Sequence, residues 1–514
     1  MAWFKKEKEA SAPRVPPEMK RSAPLRKVSG QRNFNFQAAE TGGTFGKWTS
    51  WAIPPDELVF KSLRVLRARS RQLMISTDIA PSFINLVENH IVGNDGFRFC
   101  AKAKDGETLD EMANKALQKA WAAWSDKGYC DFYGDHDEAS FDRLIIRTVA
   151  IDGEVFIQEL TDDMGNTCFR LFDPETVPVE YNLSSVNGRN NVRFGIEYDT
   201  MNKPVAYYFR DQNGSYVFNG GYQSGALRLT RIPAEQIDHI FVKDRIDLKR
   251  GFPWMAPSMV RFRMLSRFED AALQNAIVGA SNVAILSGEG AADVSDAMVD
   301  QDVQLSDTET ATIYETDADV NFHAFDTQFP SSEYASFVKT NMRSLAAGVG
   351  VNYNTLSGDL EGVNYSSLKH GTTEERENWK KLQSWFVRSW KKKQYKRWLM
   401  RSLLVGIPVS GSSTLRVQDF DKYMCCDFRG RRWLSPDPLK EANAIKARLS
   451  ANLISPQRVI IESGLDPDEV FDEIEKYHAM MKDKGIPVEV ASSVINTMTE
   501  ESNNNANMND DDMN

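Results

Sequence analysis

The sequence predicts an α+β protein that is predominantly helical. Apolar residues recur at helical spacing in several long stretches of the 514-residue chain, whereas alternating apolar and polar residues with turn signals are concentrated between about 151 and 243. With 41% hydrophobic and 26% charged residues the composition is typical of a globular protein, and the length allows three or four domains. The net charge of −10 argues against a protein whose whole surface binds nucleic acid or anionic lipid.

The sequence argues against a secreted or membrane-spanning protein. It has no run of 18 uncharged apolar residues, so neither a membrane span nor a membrane partner is predicted. The N-terminus lacks the apolar core and small-residue cleavage site of a secretory signal. The five cysteines are sparse and odd in number, which fits a reducing compartment without a disulfide framework. We therefore expect a large intracellular soluble protein.

The first half of the chain is predicted to mix helices and strands. Apolar residues at helical spacing over 58–92 predict two helices, because Pro81 interrupts the stretch. A further helix is predicted over 109–125, with Trp121 and Trp124 three residues apart on one face. The segments VAIDGEVFIQEL and CFRLFDP, joined by a turn at TDDMGNT, are typical of two strands, and further strand-like segments follow them.

The second half is predicted to be mostly helical, with one acidic stretch. Helices are predicted over 257–281, 332–348, 366–404 and, as three compact segments, 436–485. Gly348 is the predicted C-cap of the second of these helices. Residues 284–330 carry eleven Asp or Glu and no Lys or Arg, whereas the long helix carries eleven Lys or Arg against three Glu.

The two ends of the chain are predicted to be disordered. Residues 1–36 hold nine Lys or Arg, three Glu and four Pro with few aliphatic residues, so they form a basic arm that buries too little apolar surface to fold alone. Residues 486–514 form an acidic tail that is rich in Asn and Asp and has no apolar period.

No motif predicts catalysis, a metal site or a cofactor. The segment GGTFGKW has three residues between its outer glycines where a phosphate loop needs four, and Trp48 follows its lysine instead of Ser or Thr. The six histidines show no metal-ligand spacing. The acidic pairs Asp152/Glu154 and Asp359/Glu361 could hold a metal or act as acid and base, but each lies at a turn or loop where solvated carboxylates are common. We predict that the protein is not an enzyme.

Ten segments, in order and at matching spacing, resemble lambda-type tailed-phage portal proteins. The most extensive are GFPWMAPSMVRFRMLSRFEDA from Gly251 and SEYASFVKTNMRSLAAGVGVNYNTLSGDLEGVNYSSLKHG from Ser332. The second resembles the family's helix end, Leu-Ser-Gly-Asp loop and Asn-Tyr-Ser-Ser helix start. Shorter segments that agree include RVLRARSRQL, NHIVGNDG, IDGEVF, FRLFDPETV, RGRRWLSPDPLKEA and ISPQRVIIESGLDPDEVFDEIEKY. The resemblance covers roughly 55–480 and is weakest in the two tails and over 284–312.

The resemblance implies a phage portal fold, assembled as a cyclic ring of twelve chains with double-stranded DNA passing through its centre. It implies a wing (37–250), a first stem helix (251–281), an acidic clip (282–330), a second stem helix (332–348), a tunnel loop (349–365), a long helix with a return to the wing (366–435) and crown helices (436–485). The implied partners are the terminase large subunit, head-completion and adaptor proteins, the major capsid protein and, as a further candidate, scaffolding protein. The implied location is a unique vertex of the virion, after assembly in the host cytoplasm.

The tunnel loop is predicted to face the DNA channel. It carries two carboxylates but no Lys or Arg. Each cation that neutralises a phosphate tightens DNA binding, so a channel lining with few cations allows DNA to slide. Its glycines allow the backbone to shift as DNA passes. The predicted channel residues are Asn354, Leu356, Ser357, Gly358, Asp359, Leu360, Glu361 and Gly362. The alternative is an ordinary flexible surface loop.

Two stem cations and a set of clip carboxylates complete the predicted site. Lys339 and Arg343, four residues apart on one helix face, are candidate contacts to DNA phosphates, and the alternative is an intersubunit ion pair with Glu269 or Asp270. The predicted acidic clip residues are Asp293, Asp296, Asp300, Asp302, Asp307, Glu309, Glu315, Asp317 and Asp319. In a monomer the same acidic stretch would be a surface insertion.

A basic and aromatic run lies late on the long helix. Its lysines, Lys391 to Lys393, are interleaved with Trp385, Trp390 and Trp398, a composition that can bind nucleic acid. At helical spacing, however, we expect the tryptophans to pack inward and the lysines to face solvent or a neighbouring subunit.

Two other functions compete with the portal interpretation. A sequence-nonspecific DNA-binding protein, acting as a monomer or small oligomer, predicts a basic groove and steeply salt-dependent binding. A metal-dependent nuclease built on the acidic pairs predicts DNA cleavage in magnesium that Asp359→Ala abolishes.

Overall fold

The computed structural model divides the chain into two units, Met1–Pro54 and Pro55–Asn514, and the elements below belong to the second. The structure describes residues 52–184, 190–210, 228–280, 284–287, 321–324, 333–361, 365–410, 413–433, 438–465 and 467–485. The predicted basic arm and acidic tail lie outside these residues.

Helices make up more than half of the described residues. In chain order they are α1 (Pro55–Ser76), α2 (Ile79–Ile91), α3 (Glu111–Ser125), α4 (Glu138–Asp152), α5 (Met259–Ala280), α6 (Tyr334–Val349), α7 (Tyr353–Ser357), α8 (Tyr365–Phe386), α9 (Lys392–Val405), α10 (Phe420–Tyr423), α11 (Pro438–Ser450), α12 (Pro456–Glu462) and α13 (Pro467–Asp483). A π-helical turn, Val387–Lys391, joins α8 to α9 in a single helical run. Three 3₁₀ turns are Pro174–Thr176, Ala234–Gln236 and Val417–Asp419.

The strands form small antiparallel sheets. They are β1 (Arg98–Ala101), β2 (Lys104–Asp105), β3 (Thr108–Leu109), β4 (Glu154–Thr161), β5 (Thr167–Phe172), β6 (Asn191–Arg193), β7 (Ile196–Tyr198), β8 (Pro204–Arg210), β9 (Leu229–Pro233), β10 (Ile237–Phe241), β11 (Ala284–Ser287), β12 (Asn321–Ala324), β13 (Pro408–Ser410), β14 (Ser413–Thr414) and β15 (Cys426–Arg429). The larger sheets have the orders β10-β4-β5 and β6-β7-β8-β9, and the remaining strands pair in twos. Pairing of β1 with β15 returns the chain after the long helix to its first third. The α+β expectation is confirmed.

The segment predicted as the first strand is divided between a helix and a strand. Its first four residues end α4, which the sequence analysis did not predict, and β4 begins only at Glu154. Gly153 separates the two elements with φ of 93°, and its N–H donates to the carbonyl of Val149. A side chain at 153 would also collide with the backbone of Gly251 and Phe252, so glycine is required on both counts.

An aromatic cluster joins α3 to the long helix. The centroid of the Trp121 ring lies 4.8 Å from that of Trp124, 5.0 Å from that of Trp398 and 5.8 Å from that of Phe428. The helical face predicted from Trp121 and Trp124 is therefore buried, and Trp398 packs inward as expected. Trp385 is only half-buried.

A buried carboxylate, Glu154, connects β4 with α1, with β10 and with the segment before α5. Arg67 of α1 and Arg250 form ion pairs with it, and Arg250 Nε lies 2.6 Å from its Oε1. His239 Nε2 lies 2.8 Å from Oε2, and the N–H of Gly251 donates to the same oxygen over 2.9 Å. Burial raises the pKa of Glu154, but the charges of the two arginines outweigh burial and hold that pKa far below its usual range.

The prediction that the lysine run faces solvent or a neighbouring subunit is wrong for Lys391. The π-helical turn adds a residue to the helix at this point, and Lys391 lies fully buried beside Glu138 and Asp142 of α4. Its Nζ lies 2.9 Å from Asp142 Oδ2 and donates to Gln394 Oε1 over 2.7 Å. Trp390 is buried as predicted, and its indole N–H donates to Asp142 Oδ1 over 2.9 Å. The two carboxylates of α4 supply the counter-charge that offsets the cost of burying this ammonium.

Candidate functional site

Helices α5 and α6 form an antiparallel hairpin. The ring of Phe268 on α5 contacts Tyr334 and Phe337 near the start of α6, with centroid distances of 5.8 and 4.9 Å. At the other end, Gly348 lies so close to Ser258 that an added Cβ would stand 2.1 Å from the serine Oγ. The β11–β12 pair follows α5 and precedes α6 in the chain. The sequence predicted both helices but not this strand pair.

The segment after α6 contains more regular structure than the predicted loop. Gly350, with φ of 77°, caps α6, so the prediction of Gly348 as the C-cap is wrong: α6 continues to Val349, and Gly348 serves close packing instead. The short helix α7 then occupies part of the predicted tunnel loop and is capped by Gly358, with φ of 69°. Both capping glycines adopt the left-handed conformation that other residues reach only with strain.

The first part of the predicted tunnel loop is anchored to α2 and α8. Leu356 is buried, and its carbonyl accepts a hydrogen bond from Ser82 Oγ over 3.2 Å. Thr355 Oγ1 donates to Glu375 Oε2 over 2.9 Å, and the other oxygen of Glu375 accepts the indole N–H of Trp379 over 3.2 Å. Residues up to Ser357 are therefore part of the packed body and not a free loop.

The loop after Gly358 is held by four side chains that we call the stem–loop cluster: Lys339, Arg343, Tyr353 and Asp359. Lys339 Nζ lies 2.8 Å from Asp359 Oδ2, and the hydroxyl of Tyr353 donates to the same oxygen over 2.7 Å. The N–H of Glu361 donates to Asp359 Oδ1 over 2.9 Å, so both carboxylate oxygens are engaged. Helix α6 and the loop after Gly358 meet at this carboxylate.

Charge is distributed unevenly within the stem–loop cluster. The Lys339 ammonium and the Tyr353 hydroxyl hold the pKa of Asp359 well below its usual range, and Asp359 in turn raises the pKa of Lys339. Arg343 is exposed, and its guanidinium carbon lies 5.5 Å from the centroid of the Tyr353 ring. In the part of the chain that the structure describes, Arg343 has no ion-pair partner.

The predicted channel residues differ in environment. Leu356 is buried, Asn354, Ser357 and Asp359 are half-buried, and Gly358, Leu360 and Glu361 are exposed. Gly362 lies outside the described residues, as do all the predicted acidic clip residues: Asp293, Asp296, Asp300, Asp302, Asp307, Glu309, Glu315, Asp317 and Asp319.

The alternative of an ion pair between Lys339 or Arg343 and Glu269 or Asp270 concerns a neighbouring subunit, and it stays a prediction. Within this chain, Lys339 pairs with Asp359. Sequence reasoning missed this pair because its members are 20 residues apart and meet through the turn at α7. It also missed Tyr353 and Glu375, whose partners no spacing rule predicts.

Of the four carboxylates considered for metal chemistry, Asp152, Glu154 and Asp359 are engaged by basic side chains. Arg71 donates to both oxygens of Asp152 over 2.8 Å, and Glu154 is held by the two buried arginines. Over the described ranges, no three metal-ligating side chains cluster in a way that could hold an ion. No helix among these residues has both the length and the apolar character to cross a bilayer.

Known proteins resemble this chain over most of its length. It is 27% identical over 465 residues to the probable portal protein of Halomonas phage phiHAP-1, with 88% of each chain covered. It is 21% identical over 478 residues to portal protein B of Escherichia phage lambda, with 84% of this chain and 86% of that protein covered. The portal protein of Escherichia phage N15 is 23% identical over 379 residues, with 65% and 68% covered.

Solved structures and a family model give two further likenesses. The chain aligns with a chain from the neck of the empty gene transfer agent particle at a TM-score of 0.41, and with one from the neck of the native particle at 0.39. Both alignments have 12% sequence identity and cover 77% of this chain and 94% of the other. The model of the phage portal protein, lambda family, matches residues 41–383, two thirds of the sequence. The chain therefore belongs to the lambda family of phage portal proteins, and it is a portal protein of a tailed phage or phage-like particle.

Proposed function

We propose that this portal protein assembles into a cyclic ring of twelve chains that conducts double-stranded DNA into and out of a capsid. The ring occupies one vertex of the virion and is built in the host cytoplasm. It docks the terminase large subunit during packaging and head-completion or adaptor proteins afterwards, and it contacts the major capsid protein. The chain itself is not an enzyme, and a separate ATPase supplies the energy for packaging.

The observation that carries the ring is the distribution of exposed apolar side chains on α5. Val260, Met264, Leu273 and Ile277 are each between 57% and 66% exposed. At 3.6 residues per turn, the first two lie about 140° around the helix from the last two. A single chain therefore presents apolar surface on two nearly opposite sides of one helix, as expected of a subunit that contacts a different neighbour on each side of a cyclic ring.

The described elements fit the regions that we propose for a portal subunit. Elements α1 to β10 form the wing, and the α5–α6 hairpin forms the stem. The β11–β12 pair stands where the chain enters and leaves the clip, and the tunnel loop follows α6. The long helical run leads back to the wing through β15, and α11 to α13 form the crown. Helices α11 and α12 have no buried residues among those described, which supports their contact with neighbouring subunits.

The exposed end of the proposed tunnel loop carries no positive charge among the described residues. Beyond the stem–loop cluster, the exposed end of the tunnel loop carries Leu360 and Glu361, and Lys339 is neutralised by Asp359. A duplex that meets few unpaired cations makes few phosphate contacts, so its binding is weak and it can move through the ring.

Native mass spectrometry and rotational averaging of particle images test the ring. We expect a closed ring of the full chain and a shift to smaller species in Leu273→Glu, because a buried charge at an interface is costly. The matched control is Met201→Glu, in the turn between β7 and β8, where the side chain is 84% exposed. A lone 58.1 kDa species under all assembly conditions would contradict the proposal, as would equal behaviour of the two variants.

Duplex DNA retention distinguishes the conduit from the competing nonspecific DNA-binding function. Assembled rings should hold a duplex weakly, with a shallow dependence on salt. A basic groove with six to ten phosphate contacts would instead lose roughly 10³–10⁵ in affinity between 50 and 200 mM salt. A loss of that size in the wild type would favour the DNA-binding protein over the conduit.

A further inference from the structure

We propose that Asp359 is a built-in competitor for Lys339, occupying the ammonium group that would otherwise bind a DNA phosphate. The inference rests on the proposed function as a DNA conduit and concerns one contact within it. It assigns the two cations of the stem–loop cluster different roles: Arg343 is available to DNA at all times, whereas Lys339 becomes available only when the loop releases it.

The geometry of the stem–loop cluster supports competition. Lys339 and Arg343 both lie over the ring of Tyr353, at 5.9 and 5.5 Å from its centroid, so the two cations occupy the same corner between α6 and the loop. Asp359 engages only the first of them, at 2.8 Å. A phosphate oxygen and a carboxylate oxygen seek the same kind of donor, so a phosphate that approaches Lys339 competes with Asp359.

The structure also indicates which part of the loop could release the lysine. Residues up to Ser357 are tied to α2 and α8 through Leu356 and Thr355. Gly358 follows in the left-handed conformation, and beyond it the described contacts to the body are those that Asp359 makes. Rotation at Gly358 would therefore separate Asp359 from Lys339 without disturbing the packed part of the loop.

Release changes the charge that a duplex meets. With the ion pair formed, the stem–loop cluster of each subunit presents one unpaired cation, Arg343. With the pair open, each presents two, and the carboxylate moves away with the loop. Each additional phosphate contact steepens the dependence of log affinity on log salt by about 0.9. The ion pair thus keeps the ring from holding DNA firmly while the loop is in place.

The test compares charge-matched variants as assembled rings of the full chain. Asp359→Asn removes the competitor, and Glu361→Gln removes one negative charge two residues away, from a side chain that makes no ion pair with the described residues. Binding of a short duplex is measured by fluorescence anisotropy between 50 and 200 mM salt. Asp359→Asn should bind more tightly than Glu361→Gln, with a salt slope steeper by about 0.9 for every Lys339 that gains a phosphate.

The double variant Lys339→Gln/Asp359→Asn separates competition from a general loss of charge or fold. We expect it to return the affinity and the salt slope to those of Lys339→Gln alone. The inference is overturned, with the conduit intact, if Asp359→Asn and Glu361→Gln behave alike in closed rings or if the double variant keeps the tighter binding. If the wild-type chain forms no ring, the proposed function fails, and this inference fails with it.

Discussion

Removing the positive charge of Lys391 should destabilise the protein strongly. The Lys391 ammonium is fully buried and lies 2.9 Å from Asp142 Oδ2, with Glu138 as a second partner. In Lys391→Met the methionine fills a similar volume, but two buried carboxylates lose their counter-charge. Loss of one partner of a buried ion pair costs about 3–5 kcal/mol, and we expect a decrease of that size in the free energy of unfolding at pH 7.

The loss of stability in Lys391→Met relative to the wild type should become smaller as the pH falls. Burial raises the pKa of both Glu138 and Asp142, and loss of the lysine raises those values further. Between the unfolded and the folded pKa, the folded state then binds more protons than the unfolded state, so its stability decreases as pH rises. Lys391→Met should therefore lie closer to the wild type at pH 5 than at pH 8.

Urea titrations followed by tryptophan fluorescence measure both effects, because Trp390 lies beside the cluster. The control is Lys392→Met, which changes the same residue type at the next, exposed position and should stay within about 0.5 kcal/mol of the wild type. A loss below about 1 kcal/mol in Lys391→Met, or a deficit that grows toward acidic pH, would refute the assignment of Lys391 as the counter-charge of α4.

Three further predictions concern other packed sites. Glu154→Gln leaves two arginines buried without a carboxylate and should lower the free energy of unfolding by about 3–5 kcal/mol in urea titrations. Because the pKa of Glu154 is depressed in the folded state, the wild type should lose this stabilisation as the pH falls below about 4.5. Gly348→Ala places a methyl group 2.1 Å from Ser258 Oγ and should lower the melting temperature, and Ser258→Gly in the same chain should recover part of the loss. His90 Nδ1 accepts the indole N–H of Trp433 over 2.8 Å, and burial lowers the pKa of His90 to about 4. The free energy of unfolding should therefore fall as the pH drops from about 6.5 to about 4. Urea midpoints should show this decrease in the wild type and not in His90→Gln.

Local patterns in the sequence predicted most helices of the fold. Two helices were expected around Pro81, and the structure places this proline in the first turn of α2, where no intrahelical N–H is lost. The helix predicted over 109–125 is present from Glu111, and Asp110 caps it by accepting the N–H of Ala113 over 3.0 Å. Such features depend on a few neighbouring residues, so periodicity and capping can reveal them.

The candidate site was predicted only in part. Asp359, Lys339 and Arg343 were identified from a resemblance and from helical spacing, and all three lie in the stem–loop cluster. No pattern in the sequence indicated that Tyr353 joins them or that α7 anchors the first part of the loop. Both features depend on a turn that folds the chain back against α6, which no short-range pattern encodes.

The sequence by itself determined the helical and strand periods, the acidic and basic stretches and the family to which the chain belongs. Only the tertiary structure decided which charges are paired. Lys391 and Asp142 are 249 positions apart, and Lys339 meets Asp359 across a turn. The energy of a charge depends on its burial and on the distance to its counter-charge, and both are set by how distant segments pack together.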